Sequence, residues 1–232
     1  MNQKDTRWQR FNLMLVFFFL VLRAPAQVMV HEEPRHHPVF QNKQIRILDV
    51  LIPPGDTSLY HLHHTPSVFI FLSSTTVGSQ LKDAAPTSST TVNGRLLFED
   101  LAAPHLRVHR VWNMDTVNLH VLDVELISND QGFIMEPLSH TGLALAIDTA
   151  WVRVYTLKLE KGEQFILNNN TRTLLAITLD SGLINTQKAK KGAALKKMVP
   201  GNFFEIKGNG TFYLKNAGSE AVQFALLEMP RQ

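Results

Sequence analysis

Short runs in which apolar and polar residues alternate cover most of the chain beyond residue 42. A period of two is the pattern of a β-strand with one buried face. Gly, Pro, Asn and Asp separate the runs, as expected of turns between strands. The runs are residues 45–52, 67–73, 118–127, 151–159, 173–179, 210–214 and 222–229. This pattern predicts an all-β chain, folded as a sandwich or a barrel.

Three stretches lack the alternation. Residues 27–42 contain three His and two Pro, and we expect an extended N-terminal arm or an edge strand there. Residues 82–94 are rich in small polar residues and predict a polar loop. Residues 129–146 join two groups of strands and leave room for a short helix.

The chain also repeats itself. Residues 46–55 resemble residues 153–162, and each segment is a strand that runs into a Gly turn. Residues 121–125 resemble residues 224–228. Two matches in the same order, at offsets of 107 and 103 residues, indicate a duplication. The predicted units are residues 43–128 and 147–230, with residues 129–146 as the linker.

The N-terminus has the order of a secretory signal peptide. Basic residues come first, an apolar run follows over residues 13–22, and the small-x-small tripeptide Ala24-Pro25-Ala26 ends the segment. We therefore expect cleavage after Ala26 and a periplasmic or extracellular protein with no membrane span after removal of residues 1–26. The apolar run is short for a bilayer, which needs about 20 residues, so an uncleaved anchor is the alternative.

The charge and the cysteine content argue against several classes of partner and site. Without residues 1–26 the chain has 19 basic and 19 acidic residues, so we expect no nucleic-acid partner. A lysine cluster at residues 188–197 is expected to be a solvated loop. The absence of cysteine excludes disulfides, thiolate metal ligands and a lipoprotein anchor.

Histidines supply the candidate chemistry. His61 and His63 are two residues apart and therefore share one face of a strand, whereas His64 points to the other face. Two imidazoles on one face can chelate a metal ion if a third ligand joins them. The candidate for that third ligand is His109.

With these residues in place, the first unit resembles the cupins. The first cupin motif, G-x5-H-x-H-x3-4-E-x6-G, is matched by Gly55, His61 and His63. The second motif, G-x5-P-x-G-x2-H-x3-N, is matched by Pro104, His109 and Asn113, with Leu106 in place of the second Gly. The acidic ligand of the first motif is missing, because its position falls at Ser67 or Val68.

The resemblance implies two tandem cupin-type β-barrels, each of six to eight strands, with a metal in the mouth of the first. His61, His63 and His109 would bind a divalent transition metal, which would be Fe, Mn, Ni or Zn. Some cupin thiol dioxygenases use a three-histidine iron site, so the missing carboxylate is compatible with function. Three neutral ligands leave positive charge on the ion, which favours an anionic small-molecule ligand. Cupins also pair through sheet edges, which implies a homodimer.

The second unit departs from both motifs. Asn168 and Asn170 stand at the two histidine positions, and Phe212 stands at the third. We expect this barrel to bind no metal, because Asn is a poor ligand for transition metals and Phe is none. Phe203, Phe204 and Phe212 are expected to form core, and a second pocket is the alternative.

Three functions stay open at this point. The first is a metal-dependent enzyme of dioxygenase-like or isomerase- or lyase-like type, acting on a small molecule. The second is a non-catalytic binding protein with a relic site, and the third is a structural module. His64, His105 and His120 are acid–base candidates or structural residues, and Tyr60 and Trp112 are expected to point away from the metal. The sequence does not place Asp123 or Glu125 relative to it.

Overall fold

The computed structural model describes residues 28–168, 171–188 and 193–230. The predicted signal peptide, residues 1–26, lies outside this part of the chain. The described residues form nineteen strands and a single 3-10 turn at Val30–Glu32. No helix within these residues has the length and hydropathy needed to cross a bilayer. The predicted all-β class is therefore confirmed.

The first barrel is built from two facing five-stranded sheets. One sheet has the order β1-β4-β9-β6-β7 and the other has the order β2-β3-β10-β5-β8. The strands are β1 (Val28–Met29), β2 (His36–Gln41), β3 (Ile45–Ile52), β4 (His61–His63), β5 (Ser67–Phe71), β6 (Thr76–Leu81), β7 (Thr87–Thr90), β8 (Leu96–Glu99), β9 (Arg107–Asn113) and β10 (Leu119–Leu126). Sequential strands thus alternate between sheets for much of the barrel, as in a jelly roll.

The second barrel repeats this plan. Its larger sheet has the order β11-β12-β19-β14-β17, and its smaller sheet has the order β13-β18-β15-β16. The strands are β11 (Leu143–Asp148), β12 (Arg153–Leu159), β13 (Gln164–Leu167), β14 (Thr173–Thr178), β15 (Gly182–Lys188), β16 (Ala194–Met198), β17 (Phe203–Ile206), β18 (Phe212–Asn216) and β19 (Val222–Met229).

Each barrel contains an equivalent turn that is stabilised by the same hydrogen bonds. Gly55 and Gly162 adopt φ values of 73° and 79°, a left-handed conformation that suits glycine. The N–H of Gly55 donates to the carbonyl of Asn113, and that of Gly162 donates to the carbonyl of Asn216, both at 3.1 Å. The side-chain amide of each Asn also donates to two carbonyls, one at the end of the strand before the Gly turn and one in the loop that follows the Asn. The Gly and Asn that the two units share therefore stabilise the fold.

The two barrels share a core. Alternate residues of β3, β5 and β10 point away from the first barrel's interior and pack against the larger sheet of the second barrel. Fully buried members of this inter-barrel core include Ile47, Ile70 and Val124 from the first barrel, and Leu175 and Leu227 from the second. The intervening residues of the same strands face the first barrel's interior, as strand alternation requires.

The interiors of the two barrels differ. Aromatic and aliphatic side chains fill the second barrel, where Phe212 packs with Phe165 and Phe224. Phe212 is therefore core, as predicted. Phe204 packs against this cluster and Phe203 against the inter-barrel core, but both are half-buried and also line a surface pocket. The first barrel's interior carries polar and charged side chains beside its apolar ones, and among them are His61 and Asp123.

Three segments differ from the simplest expectation. Residues 129–142 contain no helix, and 143–148 form β11, because this stretch pairs with β12 along most of its length. Residues 87–90 within the predicted polar loop form β7, which pairs with β6. The predicted arm contributes β1 and β2, which are edge strands of the two first-barrel sheets.

Tyr155→Phe is expected to destabilise the second barrel. The buried Tyr155 hydroxyl donates to Glu228 at 2.7 Å and accepts the N–H of Leu138 at 3.0 Å. Removing it leaves both partners short of a hydrogen bond, at a cost of about 1–3 kcal/mol. Urea unfolding measures this loss. The control Tyr213→Phe should change stability by less than about 0.5 kcal/mol, since the described residues offer the Tyr213 hydroxyl no hydrogen bond.

Candidate metal centre

Strand register places three histidines at one point inside the first barrel. His61 and His63 project from the same face of β4, and His61 lies directly opposite His109 of β9. Their Nε2 atoms converge: that of His63 is 3.1 Å from the Nε2 of His61 and 3.1 Å from the Nε2 of His109. The structure thus brings together the three residues that the sequence singled out.

The spacing of these nitrogens suits a single ion. Nitrogens about 2.0–2.1 Å from a transition metal are roughly 2.8–3.0 Å apart at octahedral angles and roughly 3.3–3.4 Å apart at tetrahedral angles, so 3.1 Å lies between the two. The side chains of His61 and His63 are almost fully buried. Burial, reinforced by neighbouring histidines, lowers the pKa of His61 to about 4 and that of His109 to about 2. The imidazoles are neutral at physiological pH, which is the form that ligates metals.

A backbone carbonyl orients the ring of His61, and a carboxyl group lies behind the ring of His63. The Nδ1–H of His61 donates to the carbonyl of Leu59 at 2.9 Å, which leaves its Nε2 lone pair for the centre of the cluster. The Nδ1 of His63 lies 3.6 Å from a carboxylate oxygen of Asp123. A carboxylate behind a ligating histidine is a recurrent arrangement in metal sites, where it fixes the tautomer and raises ligand basicity.

Asp123 is a buried carboxyl group with few partners. Burial, together with the Glu125 carboxylate, raises the pKa of Asp123 well above its ordinary value. Within the described residues neither Asp123 oxygen nor His63 Nδ1 makes a hydrogen bond of ordinary length. Such a group costs stability unless another interaction compensates for it. A metal on the other nitrogen of His63 would supply that compensation.

The N-terminal segment reaches the same site. His36 of β2 is buried, its ring centroid is 4.5 Å from that of His61, and its Nδ1 is 2.6 Å from Glu33. The Glu33 carboxylate also accepts the N–H of Leu59, whose carbonyl orients His61. Glu33 thus connects the first residues of the barrel with a candidate ligand. The sequence pattern gave no sign of this, because residues 27–42 have no period.

Glu33→Gln should remove part of the protein's sensitivity to acid. Burial opposes ionisation of Glu33, but hydrogen bonds from His36, Leu59 and Arg35 lower its pKa from 4.5 to about 2. A lowered folded-state pKa contributes stability that is full above pH 4.5 and is lost as the pH falls towards 2. That contribution is on the order of 2–3 kcal/mol.

Urea unfolding of metal-free protein at pH 7 and at pH 3 measures the effect. We expect Glu33→Gln to be less stable than the native protein at pH 7, with a smaller loss on acidification. The exposed neighbour Glu32 provides the control, Glu32→Gln, which should follow the native profile. Equal pH dependence in all three proteins would contradict the role given to Glu33.

A cavity of about 270 Å³ adjoins the histidines. His63 and His109 lie at one part of its wall, with His36 beside them. Most of the remaining wall is apolar. It is formed by Val50, Ile52, Phe69, Phe71, Val77, Leu97, Val111, Leu119 and Val121. A site for a small molecule therefore lies next to the candidate metal ligands.

Comparison with solved structures decides the fold. A bacterial pirin from Escherichia coli in complex with nickel(II) aligns with a TM-score of 0.60 at 16% identity, covering 85% of this chain and 91% of the pirin chain. A cupin 2 conserved barrel domain protein from Leptotrichia buccalis aligns with a TM-score of 0.54 at 13% identity, covering 91% and 94% of the two chains. The chain has the cupin fold.

A third match has the same fold. Salicylate 1,2-dioxygenase from Pseudoaminobacter salicylatoxidans, in its gentisate adduct, aligns with a TM-score of 0.56 at 10% identity, covering 82% of this chain and 70% of the enzyme. The sequence itself matches no protein-family model and no curated protein. The cupin fold is therefore evident from the shape of the chain and from its spaced motif residues.

The other candidate residues lie away from the histidine cluster of this cupin fold. His120 points out of the barrel and pairs with Asp49 at 2.7 Å, and His105 is exposed on the loop before β9. Arg110 lies over the rings of Tyr60 and Trp112. These two aromatic residues therefore stack with a cation, and neither belongs to the lining of the cavity.

The structure shows the surroundings of Ser67 and Val68, the two residues at the position of the missing cupin carboxylate. Ser67 is buried in the first barrel opposite Glu125 and Glu99, whereas Val68 belongs to the inter-barrel core. Glu125 pairs with Arg46 at 2.9 Å.

In the second barrel, Asn168 is exposed and Asn170 lies outside the described residues.

Proposed function

We propose that this exported cupin-fold protein binds one divalent transition metal through His61, His63 and His109, and holds a small organic molecule in the adjoining cavity. The observation that carries the proposal is the convergence of three neutral imidazoles beside an apolar cavity, with the Nε2 of His63 3.1 Å from the Nε2 of each of the other two. Iron, manganese, nickel and zinc all accept imidazole ligands. The proposal is also supported by the nickel(II) complex of the structurally similar pirin.

The residues around the cluster have separate tasks in this function. The carbonyl of Leu59 holds the imidazole of His61 by its Nδ1, so that its Nε2 faces the centre of the cluster. Asp123 lies behind the Nδ1 of His63, at 3.6 Å. The apolar wall excludes water from the ligand, and water exclusion strengthens electrostatic interactions at the metal. Three protein ligands leave coordination positions free for a substrate.

The reaction class that fits is metal-dependent conversion of a small organic anion. A bound metal would supply Lewis-acid or oxygen-activating chemistry. The structurally similar salicylate 1,2-dioxygenase is by name a dioxygenase of a small organic anion. A non-catalytic metal-dependent binding protein is the second candidate. It is favoured by Ser67, which occupies the position of the acidic cupin ligand.

Metal content is the first measurement. Mature protein purified without an affinity tag is analysed by plasma mass spectrometry, alongside the double variant His61→Ala/His63→Ala. The matched control is His37→Ala/His105→Ala, which removes two exposed histidines. We expect about one equivalent of metal in the native and control proteins, and little in the His61/His63 variant.

Either result is informative. Metal lost only from the His61/His63 variant would support the site, and oxygen-uptake and hydrolysis assays with small carboxylic acids would then separate enzyme from binding protein. Absence of metal from all three proteins, even after reconstitution with each of the four ions, would overturn the proposal. So would equal loss in both double variants.

A further inference from the structure

The cavity of the first barrel has an open side between its two sheets. Ser89 and Arg95 are the exposed members of its lining. They lie on β7 and immediately before β8, the edge strands of the two facing sheets. A ligand entering here meets Arg95 first and the histidines last.

The cavity wall carries more positively charged than negatively charged side chains. Glu99 and Arg107 lie on the wall nearest the histidines and form an ion pair with each other. Arg95 is different, since none of the ion pairs among the described residues includes it. The cavity therefore carries one guanidinium whose charge has no carboxylate partner in the described chain.

The position of this guanidinium is defined by its neighbour. It lies 5.6 Å from the centroid of the Phe71 ring, and Phe71 belongs to the apolar wall. Stacking on an aromatic ring holds an arginine side chain while leaving the edge of the guanidinium free for hydrogen bonds. That edge offers paired donors that match a carboxylate.

The size of the cavity limits the body of the ligand. An apolar cavity of about 150 Å³ is large enough for benzene, and the space here is about 270 Å³. A substituted six-membered ring fits this volume, and the aliphatic and aromatic wall favours an apolar one.

We propose that the cavity takes a small monocarboxylate with an apolar, ring-sized body, and that Arg95 binds its carboxylate. One unpaired cation selects one negative charge, and Phe69 and Phe71 contact the ring. The inference rests on the proposed ligand site of the first barrel and names its substrate class. Arg95 is then a residue that determines specificity, about one cavity length from the metal ligands.

Benzoate and its neutral isostere benzamide are the probes. Their dissociation constants are measured by calorimetry or ligand-observed NMR with zinc-loaded native protein and with Arg95→Gln, Arg95→Lys and Arg110→Gln. Arg110 is the matched control, because it stacks on aromatic rings of the same barrel outside the cavity. We expect Arg95→Gln to weaken benzoate binding about 10–100-fold, Arg95→Lys to restore part of the loss, and Arg110→Gln to change nothing.

Benzamide makes the test specific for charge. The native protein should bind benzamide more weakly than benzoate. Arg95→Gln should bind benzamide about as well as the native protein does. The proposal is overturned if benzoate does not bind at millimolar concentration, if Arg95→Gln binds it as well as the native protein does, or if benzamide loses as much affinity as benzoate.

The same titrations with His61→Ala/His63→Ala separate this inference from the metal proposal. Arg95-dependent binding of benzoate to that variant would support the carboxylate site even where metal analysis had failed. If native protein binds metal but its affinity for benzoate does not depend on Arg95, the metal site stays in place and the carboxylate site is overturned.

Discussion

Asp123→Asn is expected to weaken metal binding by about 10–100-fold while making the metal-free protein more stable. The loss of affinity follows because Asn carries no negative charge, whereas a carboxylate 3.6 Å from the Nδ1 of His63 would raise the basicity of a metal-bound imidazole. The gain follows because burial raises the pKa of Asp123 well above its ordinary value. A raised folded-state pKa means that stability is lost as the pH rises, and Asn removes that cost.

Two measurements on the same protein check both signs. Competition with a chelator of known affinity gives the metal dissociation constant, and thermal unfolding in excess chelator gives the stability of the metal-free form. The expected gain at pH 7 is about 1–3 kcal/mol. Asp49→Asn is the control, since this carboxylate pairs with His120 outside the cluster. Unchanged metal affinity in Asp123→Asn would show that the carboxylate does not support His63.

Leu227→Ala should destabilise both barrels together, by about 2–5 kcal/mol. Leu227 is fully buried in the inter-barrel core, so the truncation leaves a cavity between the two large sheets. Because each barrel covers an apolar face of the other, neither is expected to unfold alone. Loss of packing on β19 should therefore lower the stability of the first barrel as well.

Tryptophan fluorescence can follow the two regions separately. Trp112 lies in the first barrel and Trp151 packs against the inter-barrel core. In protein without residues 1–26, which contain Trp8, the variants Trp112→Phe and Trp151→Phe each keep a single tryptophan. Their urea curves should coincide, and Leu227→Ala should shift both midpoints equally. Leu145→Ala, which truncates an exposed side chain of β11, should shift neither by more than about 0.5 kcal/mol. Separate transitions for the two reporters would contradict a shared core.

The sequence predicts the fold and the three histidines for physical reasons. Strand alternation puts His61 and His63 on one face, and the spacing of the cupin motifs adds His109. The same reasoning identifies Gly55 and Asn113 only as motif positions. In the structure they form hydrogen bonds that stabilise a turn, and this turn recurs in the second barrel.

The remaining parts of the site depend on strand register, which alternation does not specify. Asp123 supports His63 only because β10 lies in the sheet facing β4. Glu33 and His36 come from a stretch without period, and their place beside His61 follows from the pairing of β2 with β3. Arg95 stands at the edge of a segment that reads as a polar loop. Each of these residues is close to the site in space and remote from the motifs in sequence.

The shared core has a consequence for the history of the chain. After a duplication, either copy can lose its metal ligands, but neither can be deleted without exposing an apolar sheet face of the other. Such a face would favour aggregation or self-association. Packing against the first barrel is therefore a sufficient reason for the second barrel to be kept, and it places no demand for metal ligands on that barrel's interior. Selection for solubility then falls on both halves of the protein, whichever of them carries the chemistry.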